Sequence, residues 1–407
     1  MRLGSVPFLK AVDDVTGGNS KIQRKDFQQA GILPVIDQGQ EKVAGYTDDM
    51  EAAFQGSLPV VLFGDHTRIF KYADKPFALG ADGVKVLAPR DGFDAKFIYY
   101  YLLSCDIPSR GYSRHFKFLK EQVIPVFAPS EQRRIVEILD EADQLRRLRR
   151  EADAKAARIL PALFLKMFGD PATNPMGWDL TTIGNVTSAI DYGTSTKSSD
   201  DGSGMPLIRM GNVDYNGHLD LRNLKHIQLS ESEVARFRLW DGDILFNRTN
   251  SKELVGKTGL WDVDIEALAA SYFIRIRVDC EQVTPTFFWA FMNCSYMKKV
   301  LRLTARGAIG QANINSSELR ALVMYKPPLD QQHLFTNRWK QIRATIPQRV
   351  SDQTDLDSLF ATLLQRAFSG QLTAKWREAH SKELLAEMEQ QARLLNLPLP
   401  KELEAAP

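Results

Sequence analysis

A four-residue phrase occurs twice in this chain. Pro129-Ser130-Glu131-Gln132 returns as Pro328-Leu329-Asp330-Gln331, 199 residues later. The same offset lays Leu160 on Leu359, Ala162 on Ala361 and Leu165 on Leu364, and one residue of slippage lays Phe168 on Phe368. A register held over about forty residues at two places in a chain marks an internal duplication. The chain therefore reads as segment, helix, segment, helix. The expected boundaries are 1–128 and 171–327 for the two segments, 129–170 and 328–380 for the two helices, and 381–407 for a charged helix and tail. Its function is one that needs two related modules at a set separation.

The helices carry the geometry. Ser130 reads as an N-cap, with Glu131 at the positive end of the dipole. Ile135, Ile138, Ala142, Leu145, Leu148, Ala152, Ala156, Ile159 and Leu163 then recur every three or four residues, on one narrow stripe. A helix of that length, roughly 60 Å at about 1.5 Å per residue, packs against a second helix, as in a coiled coil. Pro161 predicts a kink, and Gly169-Asp170-Pro171 a stop. In the second copy, Asp330 reads as the cap and Pro347 predicts a bent or two-piece helix, less regular than the first. The basic run Arg146, Arg147, Arg149 and Arg150 reads as a solvated face paired along the helix with Glu151 and Asp153. Its functional alternative is a dock for an acidic partner surface or a phosphate contact.

Both segments read as mixed α/β modules with long irregular loops. Apolar runs such as Ile32-Leu33-Pro34-Val35-Ile36 and Val60-Val61-Leu62-Phe63 predict buried strands, and Asp94 predicts the cap of an aromatic helix. Met205-Pro206-Leu207-Ile208, Asp243-Ile244-Leu245-Phe246 and the aromatic run 286–292 repeat that plan in the second segment. The fold class expected is α/β (mixed α+β), with two pseudo-symmetric globular domains separated by two long antiparallel coiled-coil helices.

Composition narrows the function classes. With 52 basic and 50 acidic side chains the net charge is +2, which excludes a uniformly basic nucleic-acid binder but permits a basic face. Cys105, Cys280 and Cys294 are scattered, which argues against a disulfide framework or zinc site and for a reducing cytoplasm. No phosphate-binding glycine loop and no HExxH pattern occurs. Asp65-His66 beside Arg68 suggests acid–base work less well than a polar loop or DNA contact. Asn174-Pro175-Met176 shares only two residues with an adenine-methyltransferase signature, with no cofactor glycine motif upstream.

Three stretches, in order, carry a resemblance. Pro129-Ser130-Glu131-Gln132-Arg133-Arg134-Ile135 looks like the start of a spacer helix. Leu165-Lys166-Met167-Phe168-Gly169-Asp170-Pro171, followed by Gly177-Trp178, looks like passage into a second target-recognition domain. Arg306-Gly307-Ala308-Ile309-Gly310-Gln311-Ala312-Asn313-Ile314 looks like that domain's close. With the duplication, the chain resembles the specificity subunit of type I restriction-modification systems over nearly its whole length. That resemblance implies two target-recognition domains, each reading half of a bipartite site in double-stranded DNA. It implies helices that dock two methyltransferase subunits, with restriction subunits completing the nuclease. It implies no catalysis and no cofactor on this chain: S-adenosylmethionine, ATP and Mg are expected on the partner subunits. No membrane partner is implied. Pro347 and the polar stretch 351–354 depart from the family pattern.

Physics fits the same reading, since a duplicated module meets half-sites about one turn, roughly 34 Å, apart. Arg and the amides carry base information, whereas Lys, Ser and Thr more often hold phosphate. The expected DNA contacts in the first segment are Asn19, Lys21, Gln23, Arg24 and Lys25 in one loop, and Arg110, Tyr112, Arg114, His115 and Lys117 in another. In the second they are Thr196 and Lys197; Asn247, Arg248, Asn250 and Lys252; and Arg306, Gln311 and Asn313. The rival readings are a self-contained DNA methyltransferase or nuclease with degenerate motifs, and a helical adaptor that binds no DNA.

Overall fold

The computed structural model describes residues 3–80, 83–109, 111, 113–198, 202–307 and 312–398. The chain forms two compact units, one of Met1–Arg150 with Ser351–Pro407 and one of Glu151–Val350. The cut therefore falls inside both long helical regions.

Each unit is built around a four-stranded antiparallel sheet. In the first unit the order is Val12–Asp14, Val84–Pro89, Val60–Gly64, Phe70–Ala73. In the second it is Thr187–Tyr192, Phe273–Val278, Ile244–Asn247, Thr258–Leu260. Numbered along the chain, both sheets run first, fourth, second, third. The second strand reads as an unbroken apolar run because both of its faces are covered. Val61 and Phe63 enter the core beneath the helices, while Val60 and Leu62 enter the core of the opposite face. In the second unit Ile244 and Phe246 divide from Leu245 in the same way.

A smaller sheet repeats too. Leu33–Ile36 lies parallel to Ala78–Gly80 and antiparallel to Gly45–Thr47. Met205–Ile208 lies parallel to Leu268–Ala269 and antiparallel to Lys225–Ile227. The aromatic helices follow as expected. Asp94 caps Ala95–Ser104, accepting the amides of Lys96 and Phe97 at 2.8 Å each. Thr284 caps Pro285–Asn293.

The long helices both come in two pieces. Pro129–Ala156 is followed by Ile159–Phe168, and Leu329–Ala344 by Ile346–Ser369. The second break was expected from Pro347. The first corrects the expectation of a single kinked helix. Pro161 has no amide to give the carbonyl four residues back, and its ring crowds that carbonyl, so the helix gives way at residues 157–158. Two caps also differ. Ser130 lies within its helix and gives its amide and hydroxyl to Glu387, at 2.8 and 2.7 Å. Asp330 lies within a helix that begins at Leu329 after Pro328, with no side-chain cap.

The helices pair antiparallel, with a charged seam where an apolar stripe was expected. Leu145 and Leu148 are exposed. In the first unit Arg146 Nε meets Asp357 at 2.7 Å and Arg149 meets Asp352 at 2.9 Å. In the second Arg349 meets Asp153 at 2.9 Å. The arginine run is thus held mainly across the pair, not along its own helix.

The Asp357 carboxyl is held below its usual range, first by the hydrogen bond from Gln353 and, against the cost of desolvation, by Arg146 and Arg150. A depressed folded pKa contributes stability that is present above the ordinary carboxylate range, near 4, and lost as pH falls through the folded value. Thermal melts from pH 6 to about pH 2 should therefore show an acid-side loss that Asp357→Asn flattens. The effect at neutral pH should stay within about 1 kcal/mol, because the pair is open to solvent.

The duplication is most exact in packing. Gln132 is buried; its Oε1 accepts the Asp94 amide at 2.9 Å, and its Nε2 donates to the Gly92 and Phe127 carbonyls at 2.9 and 2.8 Å. Gln332 does the same with the Thr284 amide at 2.8 Å and the Gln282 and Pro327 carbonyls at 3.2 and 2.7 Å. Ile135 and Phe335, Leu139 and Trp339, Phe164 and Leu364, and Phe168 and Phe368 are all buried. The structural register is therefore 200 residues, one more than the offset read from the proline-led phrase.

Candidate nucleic-acid interface

In the second unit the structure gathers three separate stretches. Ile244–Asn247 is an inner strand of the sheet, and Thr249–Asn250, just beyond it, pairs antiparallel with Ala312–Asn313. Arg306 bridges Asn313 through two backbone hydrogen bonds of 2.8 and 3.1 Å. The stretch at 194–197 joins through Thr194, whose carbonyl accepts the Ser271 amide at 2.8 Å; the Ser271 carbonyl in turn accepts Arg248 Nε at 3.2 Å. Arg248 lies at the centre, its guanidinium 4.7 Å from the Tyr192 ring centroid.

Tyr192 was missed from sequence. Its hydroxyl accepts the Ser316 amide at 3.1 Å. Burial works to raise the phenol's pKa, but that hydrogen bond and the Arg248 charge outweigh it and hold the pKa below its usual value. Tyr192 and Tyr272 are exposed, so the patch presents aromatic faces beside a guanidinium. The signal available was an aromatic residue at the end of an alternating strand, directly before the polar turn.

The expected contact residues divide by burial. Thr196, Lys197, Lys252 and Arg306 are exposed, and Arg248 is half-buried. Arg306 Nε also holds Glu318 at 2.8 Å. Asn247 is fully buried, contrary to its reading as a contact residue: its amide bridges Tyr272 and Asn250 and so sets the turn. Asn250 and Asn313 are half-buried and engaged within the protein, Asn313 accepting the Thr249 hydroxyl at 2.8 Å. Gln311 lies outside the described residues.

In the first unit Lys21, Gln23, Arg24 and Lys25 form an exposed basic run, Lys21 at the edge of the smaller sheet. Asn19 is a loop staple instead: its amide nitrogen reaches the Val15, Thr16 and Gly17 carbonyls, and its oxygen accepts the Gln55 amide. Arg114 and Lys117 are exposed, with Lys117 4.8 Å from the Phe118 ring centroid. His115 is buried, its Nδ1 2.9 Å from the Asp65 carbonyl, so it has little surface to offer a ligand. Asp65 is buried too and accepts the Phe116 amide at 2.7 Å, a structural role that replaces both the acid–base and the surface-loop readings. Arg110 and Tyr112 lie outside the described residues.

Parts of the chain are similar to known proteins. Residues 8–155 match the family model described as the type I restriction modification DNA specificity domain. The chain is 29% identical over 218 residues to the type I restriction enzyme EcoKI specificity subunit of Escherichia coli (strain K12), covering 52% of this chain and 46% of that protein. It is 28% identical over 227 residues to the StySPI specificity subunit of Salmonella potsdam, covering 54% and 48%. These alignments span about half the length of each relative. The crystal structure of a type I restriction-modification system S subunit from M. genitalium shares the fold, with a TM-score of 0.53 and 16% identity over 89% of this chain and 95% of that one.

Proposed function

We propose that the chain is a type I restriction-modification DNA specificity protein, a reading its matched residues 8–155 and its partial relatives support, and that it reads a bipartite site in double-stranded DNA through its two units. The observation that carries this is the repeated topology, two sheets of one strand order closed by equivalent buried glutamines. In this reading the chain is the non-catalytic specificity component. Two methyltransferase subunits dock on the helices, where exposed Leu145, Leu148 and Leu359 in the first unit offer apolar contact, and restriction subunits join the assembly. S-adenosylmethionine, ATP and Mg belong to those partners, and the complex works in the cytoplasm. Among the described residues no helix is long and apolar enough to cross a membrane.

Exchange of residues 1–128 for the first segment of a relative tests the reading. Methylome sequencing should show one half-site changed and the other kept; change in both halves would refute two independent readers. At the patch, Arg248→Ala should weaken binding of the assembled complex by about tenfold or more, within the roughly 1–3 kcal/mol of a good base contact. Arg248→Lys should keep much of the charge-dependent part and lose sequence discrimination. Titration of specific and scrambled duplexes at two salt concentrations separates the two.

A further inference from the structure

The two units are not equally covered. In the first, the helix Ser381–Leu395 lies over the junction where the long helix begins. Leu384 and Met388 pack on Ala128, all three buried. Gln391 Nε2 donates to the Gly92 carbonyl at 2.8 Å, the same oxygen that accepts Gln132. Glu387 receives the Ser130 amide and hydroxyl at 2.8 and 2.7 Å.

The equivalent junction in the second unit is open. A pocket of about 350 Å³ lies there, lined by Trp178, Gln282, Lys326, Pro328 and Leu329 among others. The buried glutamines fix the correspondence: Gln282 stands for Gly92, Pro328 for Ala128 and Asp330 for Ser130. Pro328 is exposed where Ala128 is buried. Among the described residues the Gln282 carbonyl accepts from Gln332 alone, where its counterpart accepts two donors.

We propose that this pocket docks an amphipathic helix carried by a partner subunit, and that Ser381–Leu395 is the resident version of that helix on the first unit. The occupant's chemistry follows from the differences. It needs apolar residues at the spacing of Leu384, Met388 and Ala392, to cover Pro328 and Leu329. It needs an amide donor where Gln391 stands, for the Gln282 carbonyl. Where the resident helix carries Glu387 it needs a basic residue, because Asp330 replaces Ser130. Asp179 and Glu281 on the pocket wall, against the single ammonium of Lys326, favour the same sign.

The probe is a helix-stapled, fluorescein-labelled peptide of residues 381–398 carrying Glu387→Lys, titrated with the full chain by anisotropy. Saturable binding is expected, at least tenfold tighter than for the unsubstituted peptide. Asp330→Ser in the chain should raise affinity for the unsubstituted peptide at least tenfold, a gain that misfolding does not produce. Pro328→Trp, which fills the pocket, should abolish binding of the lysine peptide while thermal melts stay unchanged. Three results overturn the proposal: no saturable binding of the lysine peptide; equal binding of both peptides; or an effect of Ser130→Asp as large as that of Asp330→Ser, which would mark exchange with the resident helix.

Discussion

Gln132→Leu should destabilise the first unit by about 3–5 kcal/mol and leave the second at its native stability. The substitution keeps volume and apolar contact, so its cost lies in the polar groups left behind. The Asp94 amide and the Phe127 carbonyl each lose the partner seen in the fold, whereas the Gly92 carbonyl keeps Gln391. An unsatisfied buried donor or acceptor costs about 1–3 kcal/mol. Gln332→Leu should cost the second unit about as much, because the Thr284 amide and the Pro327 carbonyl are deprived while the Gln282 carbonyl lines the open pocket, where water can reach it. Hydrogen exchange read by mass spectrometry distinguishes the outcomes, since it reports each unit separately. Equal loss of protection in both units after either change would mean that they unfold as one cooperative body.

The same glutamines show where sequence reading reached its limit. The duplication itself was legible, because prolines and acids at a helix start survive as a local pattern. Its register was not. The phrase match put Pro328 on Pro129 and so Gln331 on Gln132, whereas the fold puts Leu329 on Pro129 and Pro328 on Ala128. What selects Gln332 instead is its reach to Gln282 and Thr284, about fifty residues away, which no local pattern encodes. The paired strands were legible for the opposite reason: burial on both faces leaves a continuous apolar run in each copy. At the candidate interface the sequence pointed to polar loops, and the structure joins three of those in the second unit. It could not separate surface from interior within them. Asn247 and His115 look like contact residues by type, yet each is buried and satisfied by a partner far along the chain, Tyr272 and Asp65. Tyr192 ends a strand and so lies outside the polar loops to which the sequence pointed.

The 200-residue register carries a further expected result: each unit is closed by the end of the helix that belongs, in sequence, to the other copy. Phe168 ends the helical region that follows the first segment, yet its ring lies 4.8 Å from Phe287 and 5.4 Å from Phe335, in the second unit's core. Phe368 lies near the end of the chain, 5.5 Å from Phe97 and 5.1 Å from Tyr101, in the core of the first. Phe168→Ala should therefore cost the second unit about 3–5 kcal/mol, the range for truncating a buried phenylalanine. Phe368→Ala should fall on the first unit instead, toward the lower end of that range because its ring is slightly exposed. Urea titration followed by peptide-resolved hydrogen exchange reads both. If each substitution weakened the segment that precedes its helix in sequence, the first for Phe168 and the second for Phe368, the helix ends would be packing on their own copies and the register would be wrong. The interleaving also governs truncation. A chain stopped after residue 350 keeps every strand of the first unit but loses Phe360, Leu364, Ala367 and Phe368 from its core. That unit should then expose apolar surface and bind a hydrophobic dye, while the second unit, which draws its closing helix from upstream, stays folded.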